Sequence, residues 1–266
     1  MANKTILFEK KDNIGILTLN RPERLNALNL ELLKELRNLF TKLNNDLQTR
    51  IIILRGAGRG FCAGADVKDM ADANDKVLSN QHQYRMQQLF ANTVLNMRRV
   101  HQPIIGAIHG PATGAGFSLA LACDVRIAGE STRFNAAFIK IGFSGGDLGS
   151  SYFLPRLIGV SRASEYLYTG RFMDAATAEK FGLVSKVVKD DQVDEAALEL
   201  AREIIQNSPF GVRMTKELIN YNIDAPSLES AIQLENRTQV LCGGTKDHKE
   251  GAKSFTEKRK PVYRDR

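Results

Sequence analysis

The run Gly106-Ala-Ile-His-Gly-Pro-Ala-Thr-Gly-Ala-Gly-Phe-Ser118, closing at Cys123-Asp124, is made of residues small enough to let a ligand reach the backbone. Residues 103–108 read as an apolar strand and 114–122 as a small-residue helix, so Gly114, Ala115 and Gly116 stand where one turns into the other. The first turn of a helix carries N–H groups without partners and the positive end of the helix dipole. A carbonyl oxygen gaining negative charge is stabilised there, and the run therefore reads as half of an oxyanion site. A second glycine-rich segment, Gly56-Ala-Gly-Arg-Gly-Phe-Cys-Ala-Gly-Ala-Asp66, precedes it and also follows an apolar strand, Ile51 to Leu54.

Both loops need elements to hold them. Ile14 to Leu19 reads as a strand entering the turn Asn20-Arg-Pro-Glu-Arg24. Asn29 is the expected N-cap of a helix whose apolar residues Leu32, Leu36, Leu39, Leu43 and Leu47 recur at helical spacing. A polar helix over about 77–99 leads to the strand at 103–108, and further strands are expected at 125–128 and 183–188. Such alternation predicts an α/β fold. Beyond about residue 191 only helical patterns remain, so a core over 1–195 is expected to be followed by a helical region over 196–266.

Composition excludes several classes. The 266 residues are 43 % apolar and 25 % charged, as in an ordinary soluble globule. No apolar stretch approaches the roughly 18–20 residues that span a bilayer, and the first ten residues lack the apolar run of a signal peptide. Cys62, Cys123 and Cys242 form neither a disulfide framework nor a CxxC metal pattern, so no metal site and a reducing, cytoplasmic setting are expected. The net charge is +7, and Lys246 to Arg266 holds eight Lys/Arg against four Asp/Glu. A basic tail suits a phosphate-bearing ligand or nucleic acid, with a solvated helix end as the simpler alternative. Phe255 and Tyr263 are too few aromatics for a nucleic-acid stacking surface. Phe61 stands where a dinucleotide loop needs its third glycine, and neither a Gly-Lys-Ser/Thr loop nor an HExxH helix occurs. His101 and His109 read as structural or surface residues, and Cys62 as a small buried thiol rather than a nucleophile.

Five segments, in order, resemble signatures of the crotonase (enoyl-CoA hydratase/isomerase) superfamily. They are Asn20-Arg-Pro-Glu-Arg-Leu-Asn-Ala-Leu28, Phe61-Cys-Ala-Gly-Ala-Asp-Val-Lys68, the 106–124 run, Ala175-Ala-Thr-Ala-Glu-Lys-Phe-Gly-Leu-Val-Ser185 and Ser254-Phe-Thr-Glu-Lys-Arg-Lys-Pro261. The resemblance implies a spiral of ββα turns, a C-terminal helical trimerisation region, and a homotrimer or dimer of trimers. It implies a coenzyme A thioester as substrate, with no permanently bound cofactor and no nucleic-acid or membrane partner. On this likeness the backbone N–H groups of Ala65 and Ala115 hold the thioester oxygen, and Ala63, Asp66, Val67 and Phe138 contact the acyl-CoA. Arg24 matches a position at the CoA phosphates. Phe255 and Lys258 match residues that reach the nucleotide end, often from a neighbouring subunit.

The hydratases of that superfamily carry two glutamates. Alignment puts Ser118 at the first and Phe138 at the second, and neither can do the work of a carboxylate in adding water. Asp147, in Gly142-Phe-Ser-Gly-Gly-Asp-Leu-Gly-Ser-Ser-Tyr152, resembles the late aspartate of dienoyl-CoA isomerases and the nucleophile of 4-chlorobenzoyl-CoA dehalogenases. Against the latter, the chain has no tryptophan, and Ala91 falls where those enzymes place a base histidine. The expectation is enolate chemistry, foremost double-bond isomerisation, with Asp147 moving the proton in an apolar setting beside Phe138 and Phe143. Two alternatives stand: an acyl-CoA-binding protein without catalysis, and a hydrolase or dehalogenase-like enzyme with Asp147 as nucleophile. Structurally, Asp147 could instead cap a helix beginning near Leu148, and Ser144 and Tyr152 are candidate polar helpers.

Overall fold

The computed structural model describes residues 4–66 and 79–265, so Val67 lies outside the described residues. The chain runs through β1 (Ile6–Lys11), β2 (Ile14–Leu19), α1 (Leu30–Leu43), β3 (Ile51–Gly56), α2 (Asn80–Arg99), β4 (Ile104–Ile108), β5 (Pro111–Thr113), α3 (Ala115–Ala122), β6 (Val125–Gly129) and β7 (Arg133–Asn135). It continues with α4 (Ser150–Ile158), α5 (Val160–Thr169), β8 (Met173–Asp174), α6 (Ala175–Phe181) and β9 (Lys186–Val188). Four helices close it: α7 (Val193–Ile205), α8 (Pro209–Asn222), α9 (Leu228–Gly243) and α10 (Lys246–Thr256). A six-stranded sheet has the order β1-β2-β3-β4-β6-β9, and a second sheet the order β5-β7-β8. The β1–β2 pair is antiparallel, whereas β2 through β9 pair in parallel in the large sheet.

The continuous apolar run of β3 follows from burial on both faces. Ile52 and Leu54 pack with α1 and α2, and Ile51 and Ile53 pack with Val193, Ala196, Ala197 and Ala201 of α7. The alanines of α7 let it lie close against the sheet. The expected boundary at 195/196 falls within α7, which packs against the sheet. The Asn29 cap forms as expected, its Oδ1 accepting the Leu32 N–H at 3.0 Å. The helix nonetheless stops at Leu43, and Leu47 is 54 % exposed. There Asp46 Oδ1 accepts the N–H groups of Gln48 and Thr49 and turns the chain out of the helix.

The polar helix starts at Asn80, where the Ser79 side chain caps it by accepting from His82 N–H. Strand β9 starts at Lys186 rather than 183, because Leu183 and Val184 are buried in the turn before it. Among the described residues no helix is long and apolar enough to cross a membrane, and no group of three or more His, Cys, Asp or Glu could hold a metal ion.

Candidate functional site

The two glycine-rich loops meet because each pairs with a neighbouring segment. Ala63 N–H donates to Leu25 O at 2.9 Å, Leu28 N–H to Gly64 O at 2.7 Å, and Asp66 N–H to Leu28 O at 3.0 Å. Leu28 thus bonds to the residues on either side of Ala65 in a parallel bridge, which turns the N–H of Ala65 itself the opposite way. On that opposite side stands the start of α3. Cys62 N–H donates to Pro111 O and Thr113 N–H to Cys62 O, both at 3.0 Å, while Thr113 Oγ1 donates to Ala63 O at 2.8 Å.

Contact this close requires glycine. A Cβ on Gly64, where φ is +100°, would lie 2.8 Å from Thr113 O and 3.4 Å from Ala115 N. A Cβ on Gly116 would lie 2.1 Å from Cys62 O. Gly114, at φ 52° and ψ −122°, turns the chain into α3 without a side-chain cap. Among the described residues, neither the Ala65 nor the Ala115 N–H donates to a protein acceptor. The segments that carry these two free N–H groups thus pack against each other, and free backbone donors of this kind are able to hold an oxygen that gains negative charge.

Ser118 and Phe138 flank this pair. Ser118 is fully buried in α3, and its Oγ donates to Asp147 O at 3.4 Å. Phe138 is buried, its Cε1 lying 3.8 Å from where a Cβ on Gly114 would stand. Asp147 is half-buried. Its Oδ1 accepts from Gln87 Nε2 at 2.6 Å and from Leu148 N–H at 2.8 Å. Helix α4 begins at Ser150 with Gly149 as its N-cap, so Asp147 is not the cap that the structural alternative required. The expected apolar collar is one-sided: Phe138 is buried, but Phe143 is 59 % exposed.

Residues 9–266 match the enoyl-CoA hydratase/isomerase family. The chain belongs to that family. A probable enoyl-CoA hydratase of Mycobacterium leprae (strain TN) is 39 % identical over 268 residues, covering 100 % of this chain and 91 % of the relative. An enoyl-CoA hydratase of Bacillus anthracis superposes with a TM-score of 0.93 at 38 % identity, over 98 % of this chain and 100 % of the other. A monofunctional enoyl-CoA isomerase of M. smegmatis superposes with a TM-score of 0.75 at 39 % identity, over 87 % of this chain and 99 % of the other. The fold is that of the crotonases, and the protein is an enoyl-CoA hydratase/isomerase family enzyme acting on acyl-CoA.

Two residues of the family's first signature, Arg21 and Asn26, and Asp66 of the second are engaged inside the protein. Asp66, expected at the ligand, is 6 % exposed and receives Arg21 NH2 at 2.9 Å, so its carboxylate is engaged inside the protein. Arg21 NH1 also donates to Ala27 O. Asn26 is fully buried at φ 56°. Its Nδ2 donates to Ala57 O and Gly60 O at 2.9 and 2.8 Å, tying the first turn to the glycine loop. Polar letters in a turn motif carry no mark of burial, which is why these were not legible.

Arg24 is exposed next to Leu25, the residue that receives Ala63. Phe255 is 86 % exposed, and Lys258 is exposed at φ 52° just past α10. Among the described residues no hydrogen bond or ion pair joins either of them to Arg24 or Ala63. The tail folds back instead: both Oδ atoms of Asp265 receive Arg213 at 2.8 Å, and Asp247 accepts the N–H groups of Arg264 and Asp265.

The remaining candidates have partners within the protein. Tyr152 donates to Asp224, and burial together with that bond raises its pKa. Ser144 Oγ accepts Gly146 N–H at 3.1 Å. Burial pushes the Cys62 thiol up to about 12, and its Sγ contacts Asn26 O at 3.1 Å, which suits packing and not attack. A cleft of about 900 Å³ reaches Leu148, the neighbour of Asp147, but its lining mixes Leu95 and Phe153 with Arg98, Asp124, Arg126 and Lys216 and includes neither Ala65 nor Ala115.

Proposed function

We propose that this family member moves a proton along the acyl chain of an enoyl-CoA, isomerising a double bond through a dienolate, with Asp147 as acid and base. One observation carries the reading. The N–H groups of Ala65 and Ala115 have no protein acceptor among the described residues, and with Ser118 and Phe138 where the family resemblance puts a hydratase's two carboxylates, Asp147 is the acid at hand.

The chemistry balances without an added cofactor. The Asp147 carboxylate takes a proton from the α carbon of a 3-enoyl thioester, and the electron pair moves into the thioester oxygen held by the two N–H groups. The same carboxyl then returns the proton at the γ carbon, and the oxyanion collapses to the conjugated 2-enoyl thioester. Each N–H donor is worth about 3–4 kcal/mol of transition-state stabilisation in comparable sites. On this reading Arg24 and Ala63 meet the incoming CoA. On this reading the protein is a homotrimer or dimer of trimers, and Phe255 and Lys258 meet the nucleotide end of a CoA bound to a neighbouring subunit.

The test is deuterium incorporation at the α and γ carbons of a saturated and unsaturated acyl-CoA panel in heavy water, read by mass spectrometry. Wild type is expected to exchange, and Asp147→Asn to lose at least about a hundredfold while still binding coenzyme A. Equal exchange by the variant removes Asp147 from the chemistry. Coenzyme A binding with no exchange on any thioester leaves the second reading, a binding protein without catalysis, which the loss of both glutamates favours.

A further inference from the structure

The buried stripe of α2 runs Phe90, Val94, Met97, at spacings of one helical turn. Extended back by one turn, the stripe reaches Gln87. There the helix leaves the core, and the side chain that continues the stripe is polar and exposed. Its Nε2 stands 2.6 Å from Asp147 Oδ1. A carboxylate only accepts, so the amide nitrogen, and not its oxygen, must face Asp147. The Leu148 N–H reaches the same oxygen at 2.8 Å. Oδ1 is thereby held twice, and among the described residues Oδ2 has no protein partner.

We infer that Gln87 is a positioning residue that locks the Asp147 carboxylate through Oδ1 and presents Oδ2 to the substrate carbons. The inference rests on the proton-transfer reading above and deepens it. A neutral amide suits the task. It fixes the plane of the carboxylate without placing a full positive charge on a group that must both take and give a proton, as Lys or Arg would. It also gives the polar face of α2 a function that helical patterning alone does not assign.

The test compares wild type, Gln87→Leu, Gln87→Glu and Asp147→Asn in the conversion of trans-3-hexenoyl-CoA to its conjugated isomer, with thermal midpoint and coenzyme A binding measured alongside. Gln87→Leu is expected to lower kcat by about tenfold to a hundredfold with KM little changed, the size of loss that misplacing a reacting group produces. Gln87→Glu keeps the shape but sets two acceptors face to face, so it is expected to be the slower of the two at neutral pH and to recover as the pH is lowered. Because Gln87 is exposed, the thermal midpoint of both variants is expected to stay at the wild-type value. Wild-type kcat in both Gln87 variants beside an inert Asp147→Asn overturns the positioning role and leaves the proposed function standing. Wild-type kcat in Gln87→Glu with loss only in Gln87→Leu assigns Gln87 to packing and likewise overturns it. A fully active Asp147→Asn instead removes the reading on which the inference rests.

Discussion

Arg21 and Asp66 form an ion pair of 2.9 Å between side chains only 13 % and 6 % exposed, joining the turn after β2 to the loop that carries Ala65. The pair closes a link that the backbone bonds of Leu25 and Leu28 begin, so Ala65 is held from two directions. A buried ion pair is weak evidence of net stabilisation, but breaking one side of it is costly. Arg21→Met, which takes the Arg21 guanidinium from the buried Asp66 carboxylate, is expected to cost about 1–3 kcal/mol in urea unfolding. Arg21→Met combined with Asp66→Leu is expected to cost less than the sum of the two single changes. Additive losses in that double-mutant cycle would show that the two side chains are not coupled.

Gly116 has no room for a methyl group. Its Cβ would enter Cys62 O at 2.1 Å, so Gly116→Ala must push the loop carrying Ala65 away from α3. The expected result is a loss of about 1–3 kcal/mol from overpacking and a fall of at least about tenfold in turnover as the two N–H groups separate. Gly243, near the end of α9, has nothing within 4 Å of the place an added methyl would take and serves as the control. Gly243→Ala is expected to keep full turnover and to gain a few tenths to about 1 kcal/mol in stability, the usual helical difference between the two residues.

How far the sequence alone reaches is clear from particular elements. The apolar run at 51–54, the Asn29 cap and the small-residue start of α3 were legible, because periodicity, capping chemistry and side-chain size act locally. Strands β5, β7 and β8 were not: at two or three residues each they carry no alternation to read. The packing of the Ala65 loop against the start of α3 has no local signal in the sequence. Its physical cause, the close approach of Gly64 and Gly116 to backbone atoms distant in sequence, requires three dimensions. The same holds for Asp147. Its residue type was visible, while its bond to Gln87, 60 residues away, was not.

The thiols give a direct check on burial around the site. Cys62 and Cys123 are buried, and burial lifts both to about 12, while Cys242 is only partly covered. In the native protein an aromatic disulfide reagent is expected to titrate one thiol, that of Cys242, and in denaturant all three. Rapid native modification at Cys62, located by peptide mapping, would mean that the loop carrying Ala65 opens readily.

Asp46 supplies a pH-dependent term remote from the site. Burial pulls its carboxyl up, but hydrogen bonds from Thr49 Oγ1 and Lys10 and from the N–H groups of Gln48 and Thr49 outweigh that effect and hold it at about 2, below the ordinary 3.8. A carboxyl depressed by folding binds fewer protons in the native state than in the unfolded chain between those two values, so stability rises with pH across that window. Its contribution is complete above about pH 4 and fades as the pH falls toward 2. The side chain is 31 % exposed and its ion pair with Lys10 is screened, so about 1 kcal/mol is the expected size. Asp46→Asn, which removes the charge and keeps the shape, is expected to lose that amount at pH 7 and nothing at pH 2. Chemical denaturation of both proteins across the range measures the difference, and a gap that persists unchanged to pH 2 would assign the loss to packing at the end of α1.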